Sequence, residues 1–293
     1  MSFAITVYIR EGIVMAADSR LSLNTKKAVG QSITNYISVG QSDSNQKLFL
    51  TDSGVGISTV GDADIQGVPI AGLIEQFISQ VVANKQLTPD KVADEIINYF
   101  NLQSIVPDTQ FCVAGYEKSK QIQQVYHVVV KSKIKNMINN IDPYGAWWAG
   151  EIDIISRILN PSAEVDPANG NAIKAIHPFI QIPFNYFTLQ DAIDFSVYAV
   201  RTTIDTIRFQ PRPKTVGGPI DVLVIKPTEA KWIKKKGSSQ EFVRKGRFGE
   251  FAHAVIECGD VGRDGAKAVA PMTDHLGLLF KPSTVPLLIF RSK

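Results

Sequence analysis

A serine stands second in this chain, and a second-position serine can carry a catalytic base on itself. Cellular methionine aminopeptidases act where the second residue is small, which would leave Ser2 with a free α-amine beside its own hydroxyl. The reference pKa of such an amine is about 7.7–8.0, close enough to neutrality for it to accept the hydroxyl proton. A terminal residue whose amine activates its own side chain is a known route to a nucleophile. The residues behind it are suited to hold it in place. Residues 3–9 read as a strand, Glu11-Gly12 as a tight turn, and residues 13–18 as a second strand that ends on a carboxylate, Asp18.

Composition bounds the frame around that pair of strands. With 293 residues, 44% of them hydrophobic and 20% charged, the chain has the make-up of a folded globular protein with a sizeable core. No apolar run approaches the ~18 residues that a membrane-spanning helix needs, and no leader with a basic start and an apolar core is visible. The two cysteines, Cys112 and Cys258, form neither a disulfide framework nor a metal-ligand spacing, so a cytoplasmic location is expected. His127, His177, His253 and His275 are scattered, there is no Gly-x-Ser-x-Gly elbow, and the glycine pairs do not extend to a nucleotide-binding fingerprint. Neither a cofactor nor a metal is expected. The basic run over residues 234–247 reads first as a solvated surface and second as a patch for an acidic partner. Aromatic residues are not interleaved with it, so nucleic acid is not an expected partner.

Further along, residues 21–45 are polar and read as a surface excursion with a strand near 33–39. Residues 46–50 and 55–61 form a second hairpin around Asp52-Ser53-Gly54. Residues 62–83 carry a helical stripe in which Pro69 marks a kink or the true start. Thr88-Pro89 opens a second helix, as cap and first-turn residue. Strands follow at 109–115 and 122–131, a helix at 151–159, an excursion at 160–185, a long helix at 189–207 and a buried strand at 220–225. Hairpin strands with segregated helix pairs indicate an α+β layered sandwich. Beyond Pro227 the pattern weakens, with strands suggested at 251–257 and 286–290.

Two segments resemble a known family. Glu11-Gly12-Ile13-Val14-Met15-Ala16-Ala17-Asp18-Ser19-Arg20 is similar to the start of a mature proteasome β-type subunit. Gln46-Lys47-Leu48-Phe49-Leu50, followed by Val55-Gly56-Ile57-Ser58-Thr59-Val60-Gly61, resembles the second motif of that family, with Lys47 and Gly61 in matching register. The likeness covers about residues 2–226 and includes the strand at 220–225 after Gly217-Gly218. It implies the N-terminal nucleophile (Ntn) hydrolase fold, a four-layer αββα sandwich, in a domain over 1–227 with a C-terminal extension over 228–293. It also implies roles. Ser2 would be the nucleophile, Lys47 a fixed positive charge, Asp18 its partner, and the Gly61 N–H an oxyanion donor, with Ser22, Ser58 and Thr59 lining the substrate cleft. The substrate would be a peptide or another amide, and the assembly a homo-oligomeric ring or stack.

The chain also departs from that pattern. Serine replaces the usual threonine at the nucleophile, and the segment between Ser22 and Gln46 is longer than its counterpart. The extra N-terminal helix of α-type subunits is not seen, so the chain looks β-like, and no propeptide is seen, which resembles the simpler bacterial ring proteases of this family. Tyr144 stands about where the family has a serine, and Pro213 about where it has an aspartate, which leaves Asp142, Tyr144, Thr215 or a water as candidates to support the amine. Two other readings stay open. One is an inert assembly protein that retains Met1; the other is a small-molecule amidase or acyl transferase on the same fold.

Overall fold

The computed structural model describes residues 2–29, 33–117, 121–160, 162–165, 172–177 and 181–235. Along the chain, β1 (Phe3–Ile9), β2 (Gly12–Asp18), the hairpin β3 (Leu21–Val29) and β4 (Ile33–Ser42), β5 (Leu48–Leu50) and β6 (Gly56–Gly61) come first. A small ribbon, β7 (Asp64–Ile65) and β8 (Val68–Pro69), leads into α1 (Ile70–Phe77), which runs on as a π-helical turn over Ile78–Val82. Then come α2 (Pro89–Asn101), β9 (Thr109–Glu117), β10 (Ile122–Val129), β11 (Ile134–Met137) and β12 (Gly145–Gly150). The described residues close with α3 (Asp153–Leu159), the pair β13 (Ser162–Val165) and β14 (Ala172–His177), α4 (Leu189–Phe209), β15 (Ile220–Ile225) and β16 (Ala230–Lys234).

The molecule is α+β, as expected, and its strands pair antiparallel. One sheet has the order β12-β1-β2-β15-β16 and the other β11-β10-β9-β6-β5. Alternation along each strand divides the side chains between two layers. On β1, Phe3, Ile5, Val7 and Ile9 pack with Ile154 and Ile155 of α3 and Ala192, Ala199 and Val200 of α4. Ala4 and Tyr8 face the opposite way, into a layer shared with Leu48, Val60, Cys112 and Ala114 of the second sheet. The other face of that second sheet, through Phe49, Ile57, Phe111 and Val113, takes Leu73 and Phe77 of α1 and Ile96 and Phe100 of α2. With both faces covered, β1 and β2 are buried along their whole length, which is why they read as near-continuous apolar runs, interrupted in β1 by Thr6.

Helix boundaries follow local chemistry. Pro69, in extended conformation, is the N-cap of α1 and so marks its true start. Thr88 Oγ1 accepts from Lys91 N at the head of α2, and Thr188 with Asp191 forms a capping box on α4.

Four segments differ from the sequence reading. Residues 21–29 and 33–42 are two paired antiparallel strands, where an excursion with one strand near 33–39 was expected, because β-strand formers recur through a stretch that composition alone marks as polar. Residues 145–150, read as the lead-in to a helix, are a sheet strand paired with β1, and the helix begins two residues late, at Asp153. The excursion at 160–185 contains the β13–β14 pair. Past the expected boundary at 227, β16 continues the first sheet beside β15. The strands suggested at 251–257 and 286–290, and the basic run beyond Lys235, lie outside the described residues.

Candidate active site

The end of β2 presents a carboxylate that organises its surroundings. Asp18 is buried, and its two oxygens accept four donors. Oδ1 takes the Phe3 amide at 3.0 Å and Lys47 Nζ at 2.7 Å, while Oδ2 takes the amides of Arg20 at 3.1 Å and Gly217 at 2.9 Å. One side chain thereby ties the residue after Ser2 to the cation and to the turn that precedes β15. A Cβ at Gly217 would stand 2.4 Å from the Arg20 guanidinium, so the glycine lets that side chain lie close against the turn.

Lys47 sits just before β5 and is 2% exposed. Its carbonyl accepts from Thr59 N at 3.1 Å, which fixes its backbone to β6. Burial pushes the ammonium below the ordinary lysine range, and the charge and hydrogen bond of Asp18 oppose that shift. The two partners are nearly dry, so each depends on the other for neutralisation.

Ser2, Ser22, Lys47, Thr59 and Gly61 line one narrow depression, with Arg20 at its rim. Its volume is about 20 Å³, room for one water-sized group. Ser22 Oγ is buried there with no hydrogen-bond partner among the described residues. Arg20 is held by a two-pronged ion pair with Asp43, at 2.6 and 2.8 Å, and this pairing raises its pKa. The arrangement sets a hydroxyl, a buried cation and a strand-end glycine around a space the size of one oxygen.

Of the residues singled out in the sequence, Ser2, Ser22, Lys47, Thr59 and Gly61 are brought together, and Asp18 holds Lys47 from behind. Ser58 is not with them. It lies deeper along β6, opposite Leu48 and Cys112, with its hydroxyl enclosed.

Asp142 and Tyr144 are corrected as candidates for amine support. The β1–β12 register sets Gly145 against Tyr8 and Gly150 against Phe3, so both residues lie at the far end of β1 from Ser2. Five strand positions separate those ends, about 17 Å at the usual rise. There they line a separate hollow of about 450 Å³ with Tyr8, Trp148 and Phe184. Burial, with the charge of Asp142, pushes the Tyr8 phenol up to about 12.

Thr215 does lie near the serine, through a residue that the sequence reading missed. Glu151 N donates to the Ser2 carbonyl at 2.8 Å, and Thr215 Oγ1 donates to Glu151 Oε1 at 2.8 Å. The signal that could have found Glu151 was the strand at 145–150. Once that segment pairs with β1, the next residue falls opposite Ser2.

Comparison with known proteins adds little. No protein-family model matches the chain, and no curated protein matches it. Among solved structures it is similar to a Gly-1 mutant of Anbu from Hyphomicrobium sp. strain MC1, at 17% identity, 80% of this chain, 88% of that one and a TM-score of 0.48. A second Anbu structure from the same strain gives 16% identity, the same coverage and a TM-score of 0.47. Superpositions that loose carry no argument about activity. The resemblance to proteasome β-type subunits is corrected on these findings, since no family model supports it and the similar structures named here are distant Anbu chains.

Proposed function

We propose that this protein hydrolyses amide bonds with Ser2, exposed as the first residue by loss of Met1, as its nucleophile. One observation carries the proposal: the buried Asp18–Lys47 pair, tied through the Phe3 amide to the residue beside Ser2, sits at a depression that Ser2 itself lines. We also read the layers as a four-layer αββα sandwich of the Ntn type, a reading supported by the helix–sheet–sheet–helix packing.

In this mechanism Ser2 Oγ attacks the amide carbonyl carbon while its proton passes to the α-amine. Collapse of the tetrahedral intermediate breaks the C–N bond, the amine's proton goes to the leaving nitrogen, and an ester on Ser2 remains. Water then adds to that ester, its proton taken by the amine, and Ser2 Oγ recovers a proton as the acid leaves. Lys47 stabilises the developing alkoxide, and the Gly61 N–H donates to the oxyanion; a donor of this kind is worth about 2.7–4 kcal/mol. The narrowness of the depression favours a second reading on the same residues, an amidase or acyl transferase acting on a small amide.

Intact mass and covalent trapping test the proposal. Purified protein is expected to lack Met1 and to take one adduct from a β-lactone or epoxyketone, mapped to Ser2. Ser2→Ala abolishes the adduct and Lys47→Ala slows its formation. Retained Met1, or an adduct on another residue, overturns the proposal. Profiling peptides against small amides separates the two readings of substrate.

A further inference from the structure

A free α-amine on Ser2 needs something to hold it beside the hydroxyl, and the described residues provide one anionic group at the right place. Phe3 pairs with Gly150 at the end of the β1–β12 ladder, and Glu151 N donates to the Ser2 carbonyl, so Glu151 occupies the next rung. Residues on one rung have Cβ atoms about 4.5–5.5 Å apart, within reach of a glutamate side chain. The carboxylate is itself positioned. Thr215 Oγ1 bonds Oε1 at 2.8 Å, and Arg212 Nη1 lies 3.7 Å from Oε2 while pairing with Asp153 at 3.1 Å. The two Nη atoms of Arg212 hold the guanidinium in this cluster, through Asp153 at 3.1 Å and Glu151 at 3.7 Å, while its Nε is buried without a hydrogen-bond partner among the described residues.

We propose that Glu151, braced by Thr215 and Arg212, is the positioning residue that receives the Ser2 α-amine and holds it against its own hydroxyl. This rests on the reading of Ser2 as the nucleophile. An anion beside an amine favours the charged form, which orients the group but leaves less of it free as a base. Arg212 and Thr215 share the carboxylate's charge and limit that loss. The other charges around Ser2 are Asp18 and Arg20 at the end of β2, Asp43 on Arg20, Lys47 before β5, Asp62 after β6 and Asp153 at the start of α3. Asp18, Lys47, Arg20 and Asp43 are engaged in pairs with one another, and Asp62 Oδ2 accepts from the Asp108 amide at 2.7 Å, which leaves the Glu151 cluster as the adjustable influence on the amine.

The test is the pH dependence of β-lactone acylation at Ser2, followed by intact mass on protein shown to lack Met1. In Glu151→Gln the acid limb is expected to move to lower pH by on the order of one unit. In Arg212→Met it is expected to move to higher pH, and Glu151→Asp is expected to restore most of the wild-type midpoint. A structural role alone would slow both variants with the midpoint unchanged, and that result overturns the inference. If Glu151→Gln does not fold, Arg212→Met reads the same limb with the opposite sign. Failure of the underlying reading looks different: no Ser2 adduct forms in the wild type at any pH.

Discussion

Lys47 is the residue on which the chemistry and the stability of the site both turn. An ammonium taken out of water beside one carboxylate is stable only while that carboxylate stays, and breaking such a buried pair costs about 3–5 kcal/mol. Asp18→Asn is therefore expected to lose that order of stability in urea unfolding, together with adduct formation at Ser2. Burial holds the folded pKa of Lys47 below its unfolded value of about 10.4. Between those two values the unfolded chain binds the extra proton, so this contribution makes stability rise with pH and fall as pH drops through the folded value. Comparing wild type with Lys47→Met in urea between pH 7 and 10 checks the sign. The wild type should gain on the variant as pH rises, and a flat difference would refute the direction.

At the scale of elements, the site depends on how β12 ends beside the start of β1. Gly150 has φ +98°, and a Cβ there would lie 1.8 Å from the Ser2 carbonyl oxygen. Gly150→Ala is expected to cost about 1–3 kcal/mol through backbone strain. It should also displace Ser2, so adduct formation falls by more than the loss of folded protein explains. Thr188→Ala provides the contrast. It removes the capping box of α4 on an exposed helix start, costs about 1 kcal/mol, and leaves the Ser2 reaction rate unchanged. Thermal melts with parallel trapping rates distinguish the two.

At the scale of the whole molecule, the layer between the two sheets is the feature that a single probe can read. Cys112 is fully buried there, and burial pushes its thiol up to about 12. The thiolate is the reactive form, so this cysteine is expected to resist iodoacetamide in the native state and to react only when the sheets part. Peptide mapping after timed labelling distinguishes it from Cys258. Labelling of Cys112 at the rate of a free thiol would show that the layer opens readily. Met15, in the same layer, offers an independent check. Met15→Ala should cost about 2–5 kcal/mol and speed that labelling.

Much of this protein was legible before any tertiary contact was known. Apolar runs, the turn at Glu11-Gly12, the Thr88-Pro89 start and the stripe of α4 are local signals, and their elements formed where local chemistry placed them. Ser2 stood out in the sequence as a hydroxyl beside its own amine, whereas Asp18, Lys47 and Gly61 were singled out through the likeness to proteasome β-type subunits; Ser2, Lys47 and Gly61 line one depression, with Asp18 bonded to Lys47. What one dimension could not provide was pairing. Gly145–Gly150 surrounds its two tryptophans with two alanines and two glycines, which are depleted in strands, and its pairing with β1 is what makes it one. That single pairing decides that Asp142 and Tyr144 lie far from Ser2 and that Glu151 lies beside it, because strand register is a property of two segments at once.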